Sequence, residues 1–67
     1  MKVFIDTWYN GNMIPNPWRC EATLYKPETM DWVVATKTRQ HKTMVEAENE
    51  IKELCKQLNL EIVKEVV

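Results

Sequence analysis

The chain has 67 residues and a mass of 8.0 kDa, which leaves room for one small domain, 1–67, burying only about 60% of the surface of its unfolded form. A hydrophobic content of 45% with 28% charged residues fits a packed core under a soluble surface, and one Gly with three Pro excludes a collagen-like chain or a flexible linker. The net charge of −1 excludes capture of nucleic acid by bulk positive charge.

The first stretch, Lys2 to Tyr9, alternates Val3, Ile5, Thr7 and Tyr9 with Phe4, Asp6 and Trp8. Both faces are partly apolar, and the pattern predicts a strand. Asn10-Gly11-Asn12 follows, with the residue types that supply positive φ angles in a tight hairpin turn. Pro15 and Pro17 lack the donor of a ladder hydrogen bond, so Met13 to Pro17 reads as a loop or a broken strand edge. Trp18 to Lys26 predicts a second strand, with Trp18, Cys20, Ala22 and Leu24 opposite Arg19, Glu21, Thr23 and Tyr25. Pro27-Glu28-Thr29 turns the chain into a third strand, Asp31 to Thr38, where Trp32, Val34 and Thr36 alternate with Val33, Ala35 and Lys37. Short connections make these three strands an antiparallel meander.

Thr43-Met44-Val45-Glu46 has the spacing of a capping box, in which hydroxyl and carboxylate each satisfy an orphan backbone donor. Met44, Ala47, Ile51, Leu54, Cys55 and Leu58 then recur at helical spacing as one apolar stripe. Asn59 suits the left-handed position that ends a helix. Leu60 to Val67 predicts a last strand, with Leu60 and Ile62 in the core. The fold class is therefore α+β, in the order β-β-β-α-β, with the helix packed on one sheet face.

The N-terminus has no apolar run of the about 7–15 residues that a secretory signal needs, and the chain has none of the about 20 that a membrane span needs. Cys20 and Cys55 stand 35 positions apart without a CxxC pair and read as buried thiols in a reducing cytoplasm.

This element order, with Asp6 in the first strand, the Asn/Gly/Pro-rich connection to Trp18 and Glu46 in the first helical turn, resembles the opening half of the ribonuclease H fold. The resemblance implies a pair of metal-binding carboxylates, Asp6 and Glu46. Two-metal hydrolysis needs several carboxylates converging so that two cations sit about 3.5–4 Å apart. The family's next Asp, at the end of the fourth strand, has no counterpart here, and Thr7 stands where a Gly typically follows the strand acid. Thr43-Met44-Val45-Glu46-Ala47 is also similar to the helix opening of HicB-like antitoxins, small domains that occlude an RNA-cleaving toxin. The chain departs from them in lacking a Pro-x-Leu-Pro-Gly-Cys-like segment and a C-terminal DNA-binding region. The likeness implies a stoichiometric occluding partner and gives no support to a repressor role.

Three other features bear on function. Lys37-Thr38-Arg39-Gln40-His41-Lys42 concentrates positive charge before the helix, where backbone donors favour phosphate or an acidic partner; the plainer alternative is a solvated connection. His41 is the sole histidine, flanked by cations, and reads as a surface side chain rather than a metal ligand. All six aromatic residues belong to the three predicted strands, and five of them are the Trp and Tyr side chains Trp8, Tyr9, Trp18, Tyr25 and Trp32. One helix covers one sheet face, so large rings are either displayed for a partner or folded over the sheet's own open edge. The expectation is a non-catalytic cytoplasmic module that needs no cofactor or metal and is a protein-binding inhibitor or antitoxin-like partner of phage-type size. Trp8, Tyr9, Met13, Ile14 and Trp18 are its candidate apolar patch, with Arg39 and Lys42 on the rim. A homo-oligomer through the same surface is a further possibility, and no membrane is involved. The alternative is nucleic-acid or nucleotide binding through Lys37–Lys42.

Overall fold

The computed structural model describes residues 1–63. Strands β1 (Lys2–Tyr9), β2 (Trp18–Lys26) and β3 (Asp31–Lys37) form the antiparallel meander, followed by helix α1 (Met44–Gln57) and a short β4 (Glu61–Ile62). The sheet order is β3-β2-β1-β4, with β4 parallel to β1. The predicted α+β class and order therefore hold. Of the predicted last strand, Leu60 to Val67, only Glu61–Ile62 is strand among the described residues; Leu60 and Val63 flank it, and residues 64–67 lie outside the described residues.

Alternation along β1 and β2 sorts their side chains as the sequence predicts. Ile5 lies opposite Ala22 and Thr7 opposite Cys20 on the helix side, while Phe4 lies opposite Thr23 and Asp6 opposite Glu21 on the outer side. Helix α1 packs chiefly against β2. The core is Val3, Cys20, Ala22, Ala47, Ile51 and Cys55, flanked by half-buried Ile5, Trp18, Leu24, Leu54, Leu60 and Ile62. Small side chains at Cys20, Ala22 and Ala47 let the helix approach the sheet closely. The buried apolar stripe is shorter than its spacing suggests, because Met44 and Leu58 at the two helix ends remain exposed.

Helix boundaries follow local chemistry. The Thr43 Oγ1 accepts from the Glu46 backbone N–H at 3.2 Å, half of the predicted box; the Glu46 carboxylate lies toward His41 instead. At the other end Asn59 adopts φ 56°. The Asn59 N–H donates to the Lys56 carbonyl and the Leu60 N–H to that of Cys55, a Schellman motif that closes the last turn.

Two connections differ from expectation. Asn10-Gly11 does not form a tight hairpin turn: Asn10 caps a single 3-10 turn over Gly11–Met13, its side chain accepting from the Asn12 N–H. The ladder closes instead between the Asn10 N–H and the carbonyl of buried Pro17, 2.8 Å apart, so residues 11–16 form a longer loop. In β3 a register shift pairs Ala22 with Thr36 but Thr23 with Val34, leaving Ala35 as an extra residue. That bulge resets the alternation. Thr36 turns to the helix side and Lys37 joins Trp32 and Val34 on the outer side, opposite Glu21.

Beyond β3 the chain stays on β2. Buried Thr38 accepts from the Cys20 N–H through Oγ1 at 2.9 Å, and its own N–H donates to the Cys20 carbonyl. The β2–β3 turn ends at exposed Met30 with φ 57°, a conformation that costs a residue bearing a Cβ about 1–2 kcal/mol. Met30→Gly is expected to raise stability by about 0.5–1 kcal/mol, the relieved strain less glycine's entropy. Urea unfolding measures it, and an unchanged or lowered midpoint contradicts the account.

Candidate functional site

The face turned away from α1 is built from alternate residues of three strands: Phe4, Asp6 and Trp8 on β1, Arg19, Glu21, Thr23 and Tyr25 on β2, and Trp32, Val34 and Lys37 on β3. No described element covers it. Trp32 is 59% exposed and Trp8 50%, with Tyr25, Phe4 and Val34 also exposed.

Two groups of side chains divide this face. Near the β2–β3 turn, Trp32 is the hub of three rings. Its centroid lies 5.5 Å from that of Phe4 at 69°, and 5.2 Å from that of Tyr25 at 54°. Both distances and tilts suit the ring quadrupoles. Toward the other end, the Arg19 guanidinium lies over the Trp8 ring, 5.6 Å from its centroid, and forms an ion pair with Glu21. Between the groups, the Thr23 hydroxyl donates to Asp6 Oδ2 at 3.3 Å. Phe4, Asp6, Thr23 and Trp32 line a shallow concavity of about 350 Å³.

The sequence-predicted patch is only partly one surface. Trp8 stands on the outer face. Trp18 does not: it packs against the core and meets Tyr9 edge to face at 4.9 Å. Met13 and Ile14 are exposed on the loop at that end. Arg39 and Lys42 are exposed near the same end, because the backbones of Trp18 and His41 bond to each other in both directions. Phe4, Tyr25, Val34 and Trp32 lie outside the sequence-predicted patch, although Tyr25 and Trp32 are among the strand rings that the sequence offers for display. Tyr25 and Trp32 sit at matching distances from the β2–β3 turn, and that pairing was the available signal.

His41 is not a surface side chain. It is half-buried, with Nε2 2.8 Å from Glu50 Oε1 and Nδ1 3.8 Å from Glu46 Oε2. The Glu50 carboxylate also accepts from the Arg39 backbone N–H at 2.9 Å and lies 3.6 Å from its guanidinium. The hydrogen bond from His41 holds the Glu50 carboxyl below the usual carboxylate range, assisted by the Arg39 N–H and by the charges of His41 and Arg39. Arg39 and His41 of the basic segment are thus partnered by Glu50, with Glu46 near His41, so part of the segment's charge is offset at the start of the helix.

Cys20 and Cys55 are free and buried. Burial pushes both thiols up, for Cys20 against a 3.4 Å contact with the Thr7 hydroxyl and with help from the Glu48 charge, so neither is a ready nucleophile. Asp6 and Glu46 do not meet: Asp6 is on the outer face and Glu46 opens the helix on the other side of the sheet. Among the described residues, no three His, Cys, Asp or Glu side chains gather to hold a metal ion, and no helix is long and apolar enough to cross a membrane. A second concavity, about 340 Å³, opens on the helix side between Ile5, Thr7, Glu48, Lys52 and Val63. No family model, curated protein or solved structure matches the chain.

A carboxyl depressed on folding stabilises the protein above its unfolded pKa, and that contribution disappears as pH falls through the folded value. Glu50→Gln is expected to cost about 1 kcal/mol at pH 7, with the gap to the native chain narrowing below about pH 4.3. Urea midpoints across pH 3 to 7 measure this, and a constant gap contradicts it.

Proposed function

We propose that the protein is a non-catalytic binding module that docks its outer sheet face on another protein and acts as a stoichiometric, occluding partner. The observation that carries this reading is the uncovered aromatic face, with Trp8 and Trp32 at least half exposed beside Phe4 and Tyr25. A monomer gains by covering such rings, and Trp, Tyr and Arg are the side chains that most often dominate interface energy. The likeness of Thr43–Ala47 to the helix opening of HicB-like antitoxins suggests the class of action, an antitoxin-like or phage-type inhibitor. The separation of Asp6 from Glu46 by the sheet favours binding over metal-dependent hydrolysis.

Nucleic-acid binding through Lys37–Lys42 is the weaker alternative, because Glu46 and Glu50 occupy the same end of the helix. Protein docking and nucleic-acid binding separate in one experiment. The intact chain, immobilised in an extract of its source cells, is expected to retain one protein that, once identified and purified, binds it with 1:1 stoichiometry in calorimetry. Trp8→Ala with Trp32→Ala is expected to weaken that binding at least about a hundredfold, since each removes a hot-spot ring worth about 2 kcal/mol or more. The helical circular dichroism stays unchanged. Retention of RNA that is lost on Arg39→Glu, or a partner held equally well by the double variant, defeats the proposal.

A further inference from the structure

The outer face pairs an aromatic ring with a carboxylate twice. At one end, Trp8 and Glu21 share a guanidinium supplied by the protein itself: Arg19 lies over the ring and its NH1 reaches the carboxylate. At the other end, Trp32 and Asp6 line one concavity with Phe4 and Thr23. Asp6 forms no ion pair among the described residues, and its polar contact there is the Thr23 hydroxyl.

Electrostatics around Asp6 point the same way. Asp6 is the direct cross-strand neighbour of Glu21, and like charges so placed repel. Glu21 is offset by Arg19 and by Lys37 in the register position beyond it, whereas Asp6 is not. A purely apolar group entering the concavity would strip water from a carboxylate and give nothing back. An anion would be repelled. A cation gains from both the carboxylate and the ring faces. A planar guanidinium suits the place better than an ammonium, because it stacks on a ring while its edge donates to a carboxylate.

We infer that the Phe4–Asp6–Thr23–Trp32 concavity receives an arginine side chain of the docking protein. This rests on the outer face being the docking surface, and it names the chemistry that face recognises. The partner's arginine completes at Trp32 and Asp6 the arrangement that Arg19 completes at Trp8 and Glu21.

The test uses the intact chain labelled with nitrogen-15 and two peptides, acetyl-Gly-Arg-Gly-amide and its citrulline counterpart, which keeps the shape and loses the charge. The arginine peptide is expected to shift the Trp32 indole N–H and the Phe4 and Asp6 amides, binding about tenfold more tightly than the citrulline peptide, a difference of about 1.4 kcal/mol. Asp6→Asn, an exposed substitution, is expected to leave the spectrum folded and erase the preference. Trp32→Phe, which keeps a ring, is expected to retain it in part. Equal affinity for the two peptides, an arginine preference that survives Asp6→Asn, or shifts confined to the helix side would each overturn the inference. Loss of the docking reading is registered separately, by the Trp8→Ala and Trp32→Ala variant with the purified partner. If that variant loses the partner while the peptides bind alike, the docking face stands and the arginine assignment falls.

Discussion

One helix can cover only one face of a sheet, and the rest of this structure follows from that limit. Helix α1 lies mainly over β2, the strand with the smallest helix-side residues, Cys20 and Ala22. Ala47 meets them from the helix, so the two layers come close and Ile51, Cys55 and Val3 fill the remaining space. Each large side chain that alternation sends the other way must find a different solution. The connection between sheet and helix adds a second tie: Thr38, the Trp18–His41 backbone pair and the His41–Glu50 bond hold residues 38–41 against β2 and against the helix start.

The outer face is stabilised within its own plane. Phe4, Tyr25 and Trp32 come from three different strands yet meet at ring distances of 5.2 and 5.5 Å, each such pair contributing about 0.5–1.5 kcal/mol beyond area burial. Arg19 screens the Trp8 ring while neutralising Glu21. The Ala35 bulge matters to this arrangement. By moving Lys37 to the outer side it sets a second cation beside Glu21, while Asp6 forms no ion pair among the described residues.

Features set by a residue and its near neighbours were legible in the sequence. Thr43 as the helix cap, Asn59 as its left-handed end, and the two faces of β1 and β2 depend on local hydrogen bonding and on a two-residue period, and each appears as expected. Features set by a distant partner were not. Nothing near Ala35 marks it as extra; the bulge exists only relative to the register of β2. Asn10-Gly11 carries the residues of a tight turn, but the ladder closes at Pro17, and Asn10 spends its side chain on a 3-10 cap. His41 lies among cations in the sequence, yet the helix brings Glu50 to it from nine positions away. For Trp18 two sequence signals conflict: alternation puts it on the core-facing side, and nearness to the proline loop puts it in the patch. Alternation was the better guide.

If the aromatic face is the docking surface proposed above, it also links binding to stability. The fully buried side chains are few and mostly small, with Ile51 the largest, so the helix side contributes a limited share of the stability of a 67-residue chain. Every ring on the outer side forgoes part of the stabilisation its area would give if water were excluded from it, at about 25 cal/mol per Å². A partner that covers this face supplies that exclusion and binds only the folded form. It therefore raises folding stability by an amount that grows with its concentration relative to its dissociation constant. On the proposed docking, the uncovered side of the sheet is the part of the domain through which stability and association would respond to the same event.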